Sequence, residues 1–209
     1  MNGIFCLEGF WYGDHRDTTS VHPVLELIHR INGIHFVHHR CGTVEEFQFS
    51  IKRWKTKSFH KKYPILYLAF HGNKGLIKIG NKQVTLDELA LILGTKCEGV
   101  VIYFGSCETM KIDKRKLQSF LEKTRVLSIL GFKQEVSWIR SASFDIQMLS
   151  YFLENKFDSM GIKKIYQDIQ INCKSLIKEL DFRMEINEKI CFPPKPSRKI
   201  NKQVATTDV

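Results

Sequence analysis

The sequence predicts an α/β fold: a doubly wound, mainly parallel sheet with flanking helices and one small hairpin. Three observations carry that expectation. Short runs of β-branched and aromatic residues alternate with amphipathic stretches of helical period, and the connections between them are short. Two runs, Pro64 to Phe70 and Val100 to Phe104, are apolar throughout, as strands covered on both faces are. The 209 residues give one main domain, set at residues 1–188, followed by a basic and disordered tail at 189–209 that carries three prolines and no apolar period.

Ile4 to Phe10 reads as the first strand and Gly13 to Ser20 as a polar loop. Val24, Leu25, Leu27, Ile28 and Ile31 give the first helix, which stops at Asn32-Gly33, a favourable carboxyl cap. Ile34 to Arg40 is the second strand. Gly42-Thr43 offers an amino cap to a helix that lines up Phe47, Ile51 and Trp54. The third strand, from Pro64, delivers His71-Gly72. Leu76 to Val84 is the hairpin, turning at Gly80-Asn81, and Thr85 with Glu88 forms a capping box for the helix after it. The fourth strand, Gly99 to Ser106, delivers Cys107-Glu108-Thr109. A helix from Lys114 to Lys123 leads to a fifth strand, Val126 to Leu130. Val136 to Ile139 reads as a short extended piece. Ser141 or Ser143 then caps an apolar helix from Phe144 to Leu153, and a last helix runs from about Ile162 to Met184.

The third and fourth strands each end in a reactive residue. If they are parallel neighbours, His71 and Cys107 emerge together at the carboxyl edge of the sheet, where open α/β folds place their chemistry. A thiol is a weak nucleophile until a base takes its proton, and an imidazole does so at neutral pH. A cysteine–histidine dyad from residues 36 apart follows as the leading expectation. Ser106 as the nucleophile is disfavoured because the G-x-S-x-G elbow is missing. Cys6, His35, His38, His39 and Cys41 are zinc-ligand types on adjacent strands, but alternation sends His38 and His39 to opposite faces, so no metal and no cofactor is expected.

In order and spacing these pieces resemble the caspase-like cysteine peptidases, and most of all their CHAT-type bacterial relatives. The shared series is Phe70-His71-Gly72, the hairpin strand Leu76 to Ile79, the helix opened by Thr85 to Leu89, and Val100 to Thr109, within residues 4–155. The resemblance implies a caspase-like fold and a cysteine endopeptidase, with Cys107 as nucleophile and His71 as acid and base. It also implies an oxyanion hole from the backbone N–H groups of Gly72 and Cys107, and a cleft wall at Trp138. A regulated protease of a bacterial stress, cell-death or antiviral pathway is the biological setting it suggests, with a protein or peptide substrate and an activating or regulatory protein partner. For the substrate pocket three charged residues remain open. Arg140 would select an acidic residue before the scissile bond, while Asp145 or Glu8 would select Lys or Arg, the side favoured here.

The net charge of +10 raises the rival reading of an inactive caspase-like module that binds nucleic acid or a protein through a basic surface. Five Lys/Arg against one Asp in residues 189–209 leave about +6 spread over the other 188, which reads as solvated surface rather than a phosphate-binding patch. Six cysteines without a C-x-x-C pair, and a first strand without a basic leader, point to reduced thiols in the cytoplasm. No apolar run approaches the ~18 residues of a membrane span.

Overall fold

The structure is a computed structural model that describes residues 2–12 and 16–192. Part of the expected polar loop (13–15) and most of the expected tail (193–209) lie outside the described residues. The strands β1 (Ile4–Glu8), β2 (Phe36–Arg40), β3 (Ile65–Ala69), β7 (Val101–Phe104), β8 (Ser128–Phe132) and β9 (Phe182–Ile186) form one sheet in the order β2-β1-β3-β7-β8-β9. Five of these strands are parallel, and β9 joins the edge antiparallel to β8. The remaining strands, β4 (His71–Asn73), β5 (Leu76–Ile79) and β6 (Lys82–Thr85), make a small antiparallel sheet.

The central strands sort their side chains with period two. In β3, Leu66, Leu68 and the following Phe70 enter one core, while Ile65, Tyr67 and Ala69 enter the other. The first core is closed by α2 (Val44–Lys55), α4 (Leu86–Leu93) and α5 (Lys114–Thr124), through Phe47, Trp54, Leu89 and Leu117. The second is closed by α1 (His22–Asn32), α6 (Trp138–Glu154) and α7 (Ser159–Asn172), through Leu25, Phe144 and Ile165. Helices on both faces are what the continuous apolar strands require, since either face left in water would expose a whole row of Leu, Ile and Phe. Three of the caps form where the sequence places them. Thr43 with Glu46 and Thr85 with Glu88 each satisfy two amide donors reciprocally, and Gly33 ends α1 in the left-handed conformation.

Three expectations are corrected. Val136 to Ile139 is not an extended piece, because α6 already begins at Trp138. The serines expected to cap it sit inside the helix, where Ser141 and Ser143 return their hydroxyls to the carbonyls of Trp138 and Ile139. The last helix does not run to Met184. It breaks at Cys173, resumes as α8 (Lys174–Glu179), and turns through Asp181, at φ 44°, into β9. The last described helix is α9 (Glu188–Cys191), whose Cys191 is buried against the second core. Between α2 and β3 the chain also makes a single 3-10 turn and the short α3 (Phe59–Lys62). Among the described residues no helix is long and apolar enough to cross a membrane.

Candidate active site

Strand β1 is followed by β2 on one side and β3 on the other, so the order of the sheet reverses between β1 and β3. Their carboxyl ends therefore flank the crevice in which open α/β sheets bind ligands. Leu68 of β3 pairs with Phe104 of β7, and His71 and Cys107 each lie three residues further on. Both residues thus leave neighbouring strands at the same edge. Gly72 is pressed against the turn that carries Cys107. A methyl group at Gly72 would collide with the Cys107 carbonyl oxygen and with Thr109 Oγ1, and would lie 2.9 Å from Ser106 Cβ. Only glycine allows that approach. The turn is fastened to the small sheet by the Thr109 hydroxyl, 3.1 Å from the Leu76 carbonyl, and by the Gly75 N–H, 3.2 Å from the Thr109 carbonyl. Glu108, at φ 56°, occupies the left-handed region immediately after the cysteine and bends the chain sharply there.

Cys107 is partly exposed, whereas the other five cysteines are buried. Partial burial pushes its thiol up, the Glu135 and Glu108 carboxylates add to this, and a hydrogen bond from the Val136 backbone works against them. At neutral pH the sulfur therefore carries its proton and needs a base. His71 is exposed, and its Nε2 lies 2.7 Å from the Trp11 carbonyl oxygen. A carbonyl only accepts, so the proton of the neutral ring sits on Nε2 and Nδ1 keeps its lone pair. The Trp11 indole stands edge-on to the His71 ring at 5.1 Å and to the Trp138 indole at 4.6 Å.

A cavity of about 190 Å³ has Gly105, Val136, Trp138, Tyr67, Tyr103 and Asp145 in its lining; Gly105 and Val136 lie near Cys107, and neither Cys107 nor His71 is part of the lining. Asp145 is buried, and burial raises its carboxyl to about 6 even though the Tyr103 and Tyr67 hydroxyls both donate to it. Tyr67 donates to Oδ2 at 2.8 Å and Tyr103 to Oδ1. A carboxylate has about four acceptor positions, so these two donors fill half of them.

The other pocket candidates lie elsewhere. Glu8 is fully buried and does not line the cavity. Its Oε1 accepts from the Trp11 indole at 2.7 Å and the Val21 N–H at 2.8 Å, and its Oε2 from the Ser20 hydroxyl at 2.5 Å and His38 Nε2 at 2.7 Å. Burial pushes this carboxyl up, but bonds from His38, Ser20, Trp11 and Val21 outweigh burial and leave it below its ordinary value. All four acceptor positions are then filled. Arg140 is exposed, pairs with Glu179 through both carboxylate oxygens, and is likewise absent from the lining. Trp138 does line the cavity, from the first turn of α6.

Ser106 is buried and held 3.0 Å from the Thr109 hydroxyl, unsuited to attack anything outside. Of the zinc-type cluster, Cys6 and Cys41 are buried in opposite cores, and His39 turns its ring to Phe5 while His38 turns to Glu8. Among the described residues no three His, Cys, Asp or Glu side chains are grouped to hold an ion.

Two features were not foreseen from the sequence: the Trp11 carbonyl behind His71, and the tyrosine pair over Asp145. The second left a trace. Tyr67 and Tyr103 are the only polar-tipped residues in otherwise apolar strands, and they face each other in register, with rings 4.6 Å apart. Two buried hydroxyls side by side call for a shared acceptor.

These features define a doubly wound α/β protein with a cysteine and a histidine at the carboxyl edge of its sheet and a cavity with Asp145 in its lining. The chain belongs to the DUF6642 family, a family of unknown function whose model matches residues 1–185. Among solved structures it is similar to caspase-1 from Spodoptera frugiperda, at 11% identity and a TM-score of 0.49 over 82% of this chain and 77% of that chain. It is also similar to the structure of pro-sf-caspase-1, at 11% identity and a TM-score of 0.47 over 72% of this chain and 70% of that one. No curated protein matches it by sequence.

Proposed function

We propose that this protein is a cysteine endopeptidase that cleaves after Arg or Lys, with Cys107 as nucleophile and His71 as acid and base. The observation that carries the reading is the joint emergence of His71 and Cys107 from paired strands, with Gly72 packed on the Cys107 carbonyl. His71 Nδ1 takes the thiol proton as Cys107 Sγ bonds to the scissile carbonyl carbon. The negative charge moves to the carbonyl oxygen, which the N–H groups of Gly72 and Cys107 receive. As the C–N bond breaks, the imidazolium gives its proton to the leaving amine. Water, activated by the same imidazole, then hydrolyses the thioester and regenerates the thiol.

Asp145 gives the basic preference its support. It is the acid in the cavity lining, and it retains two unfilled acceptor positions for a guanidinium or ammonium group. The family resemblance of the motifs favours a regulated protease of a bacterial stress, cell-death or antiviral pathway, acting on a protein or peptide substrate under the control of a protein partner.

A peptide ending in arginine and a thiol-directed warhead tests the reading. It should modify Cys107 and leave the five buried cysteines untouched, and His71→Ala should slow the modification at least tenfold, in keeping with a general base. Indiscriminate or absent labelling, together with salt-sensitive binding to arbitrary DNA or RNA, would replace the peptidase by the inactive binding module.

A further inference from the structure

Glu8 is a buried carboxylate that the dyad does not use, yet its bonds converge on the chain segment behind His71. It closes the end of β1, where its own carbonyl accepts from the Cys41 N–H. Its side chain gathers three separate parts of the molecule. The first is the Trp11 indole and the second is the Ser20–Val21 turn at the start of α1. The third is His38 of the edge strand β2. Arg40 lies beside them, with Nε 4.0 Å from Glu8 Oε2 and Nη2 donating to the Thr19 carbonyl at 2.8 Å. The Asp17 carboxylate adds bonds to the Thr19 and Tyr12 amides. The described residues between β1 and α1 are therefore tied to Glu8 at Trp11, Ser20 and Val21, and to one another through Asp17.

Trp11 is the member of this loop that reaches the dyad, and it does so by two routes. Its carbonyl accepts from His71 Nε2, and its ring packs edge-on to the imidazole. The Trp11 carbonyl shares its peptide plane with the Tyr12 N–H, which donates to Asp17 Oδ2 at 3.3 Å, so the indole bond to Glu8 and the Asp17 bond together hold that carbonyl 2.7 Å from the exposed histidine. We infer that Glu8 is a positioning residue for His71, acting through the Trp11 indole: it fixes the Trp11 carbonyl that keeps the imidazole proton on Nε2 and the Nδ1 lone pair free. Glu8 thus has a role different from the substrate-pocket acid that its type and place in the sequence suggest. The inference rests on the peptidase reading only for its effect on turnover.

Two readouts test it. The first is the exchange of the His71 Nε2 proton with solvent, followed by NMR on the full-length protein, which does not depend on any peptidase activity. Trp11→Phe keeps an aromatic ring but removes the N–H that Glu8 holds. Exchange should become at least ~10-fold faster, since a hydrogen bond lost from an exposed ring opens it to water. Glu8→Ala should do the same. Glu8→Gln should retain most of the protection, because its Oε1 still accepts from Trp11 and Val21 while its amide donates to Ser20 and His38. The second readout is hydrolysis of a peptide with an uncharged residue before the scissile bond. Trp11→Phe should lower kcat by roughly 10–100-fold with KM nearly unchanged, the pattern of a misplaced base.

If Glu8→Ala does not fold, Trp11→Phe alone decides. A folded Trp11→Phe variant with unchanged proton exchange overturns the inference, whatever the activity. If the wild-type protein hydrolyses nothing while the exchange pattern holds, the peptidase reading falls and the positioning of His71 stands.

Discussion

Asp145 offers a test that reads the same group twice, once through stability and once through specificity. Its carboxyl is raised to about 6 by burial, against about 3.9 for an unfolded aspartate. The folded state therefore holds the proton more tightly than the unfolded one between these values. Stability from this group is fully present below pH ~4 and is lost as pH rises through ~6, by on the order of 3 kcal/mol in total. Asp145→Asn has no proton to lose and shows no such decline. The melting temperature of the wild type relative to Asp145→Asn should thus fall by roughly 6–12 °C between pH 4 and pH 7.5, at about 2–4 °C per kcal/mol for a chain of this size. In the peptidase assay, the ratio of kcat/KM for an arginyl over an alanyl peptide cancels the titrations of Cys107 and His71, which both substrates share. The ionised fraction of Asp145 rises from about a tenth at pH 5 to about nine-tenths at pH 7, so the ratio should climb nearly tenfold with it. In Asp145→Asn the ratio should be low and flat. A melting-temperature difference and a specificity ratio that are both independent of pH would refute the placement of an ionising acid in this pocket.

Cys107→Ala and His71→Ala should each abolish hydrolysis with little change in melting temperature, and the double variant should be no worse than either, because nucleophile and base act as a unit. Gly72→Ala drives a methyl group into the Cys107 carbonyl and Thr109, so it should cost about 1–3 kcal/mol of stability and most of the activity, read by denaturation and peptide assay. Arg140→Ala should leave the preference at the scissile bond unchanged in a peptide library, since its guanidinium is engaged by Glu179 and does not line the cavity. Deletion of residues 195–209 should preserve the melting temperature and small-peptide hydrolysis, because that stretch has no apolar period to pack; a large loss of either would show that it does.

The sheet was legible because its central strands obey one rule without exception. Ile65 to Phe70 and Val101 to Phe104 alternate between two cores, and a run apolar on both faces has to lie between two layers. The caps at Thr43 and Thr85 were legible because their chemistry is local. What escaped was structure decided at a distance. β9 alternates Phe182, Met184 and Ile186 with Arg183 and Glu185, a strand pattern, but it follows a long helical period with only Cys173 and Asp181 to break it. Its pairing with β8 makes it a strand, and that partner is some 55 residues away. β4 is harder still: His-Gly-Asn carries no strand propensity and is extended because Lys78 to Leu76 run antiparallel beside it.

The site shows the same division between local and distant causes. The emergence of His71 and Cys107 at one edge could be read because it needs only two strand ends and the assumption that the strands are neighbours. The assignment of the two acids could not, since Glu8 and Asp145 are both carboxylates near apolar stretches and a sequence gives no reason to treat them differently. Their environments separate them through hydrogen-bond capacity alone. Glu8 receives four donors from three parts of the chain, which lowers its carboxyl and leaves no lone pair for a substrate. Asp145 receives two from the tyrosine pair, too few to offset burial, so it is raised to about 6 and still has room to accept. A saturated acid holds a loop in place, and an unsaturated one invites a cation. On the proposed reading, the same chemical group would serve as scaffold at Glu8 and as pocket at Asp145.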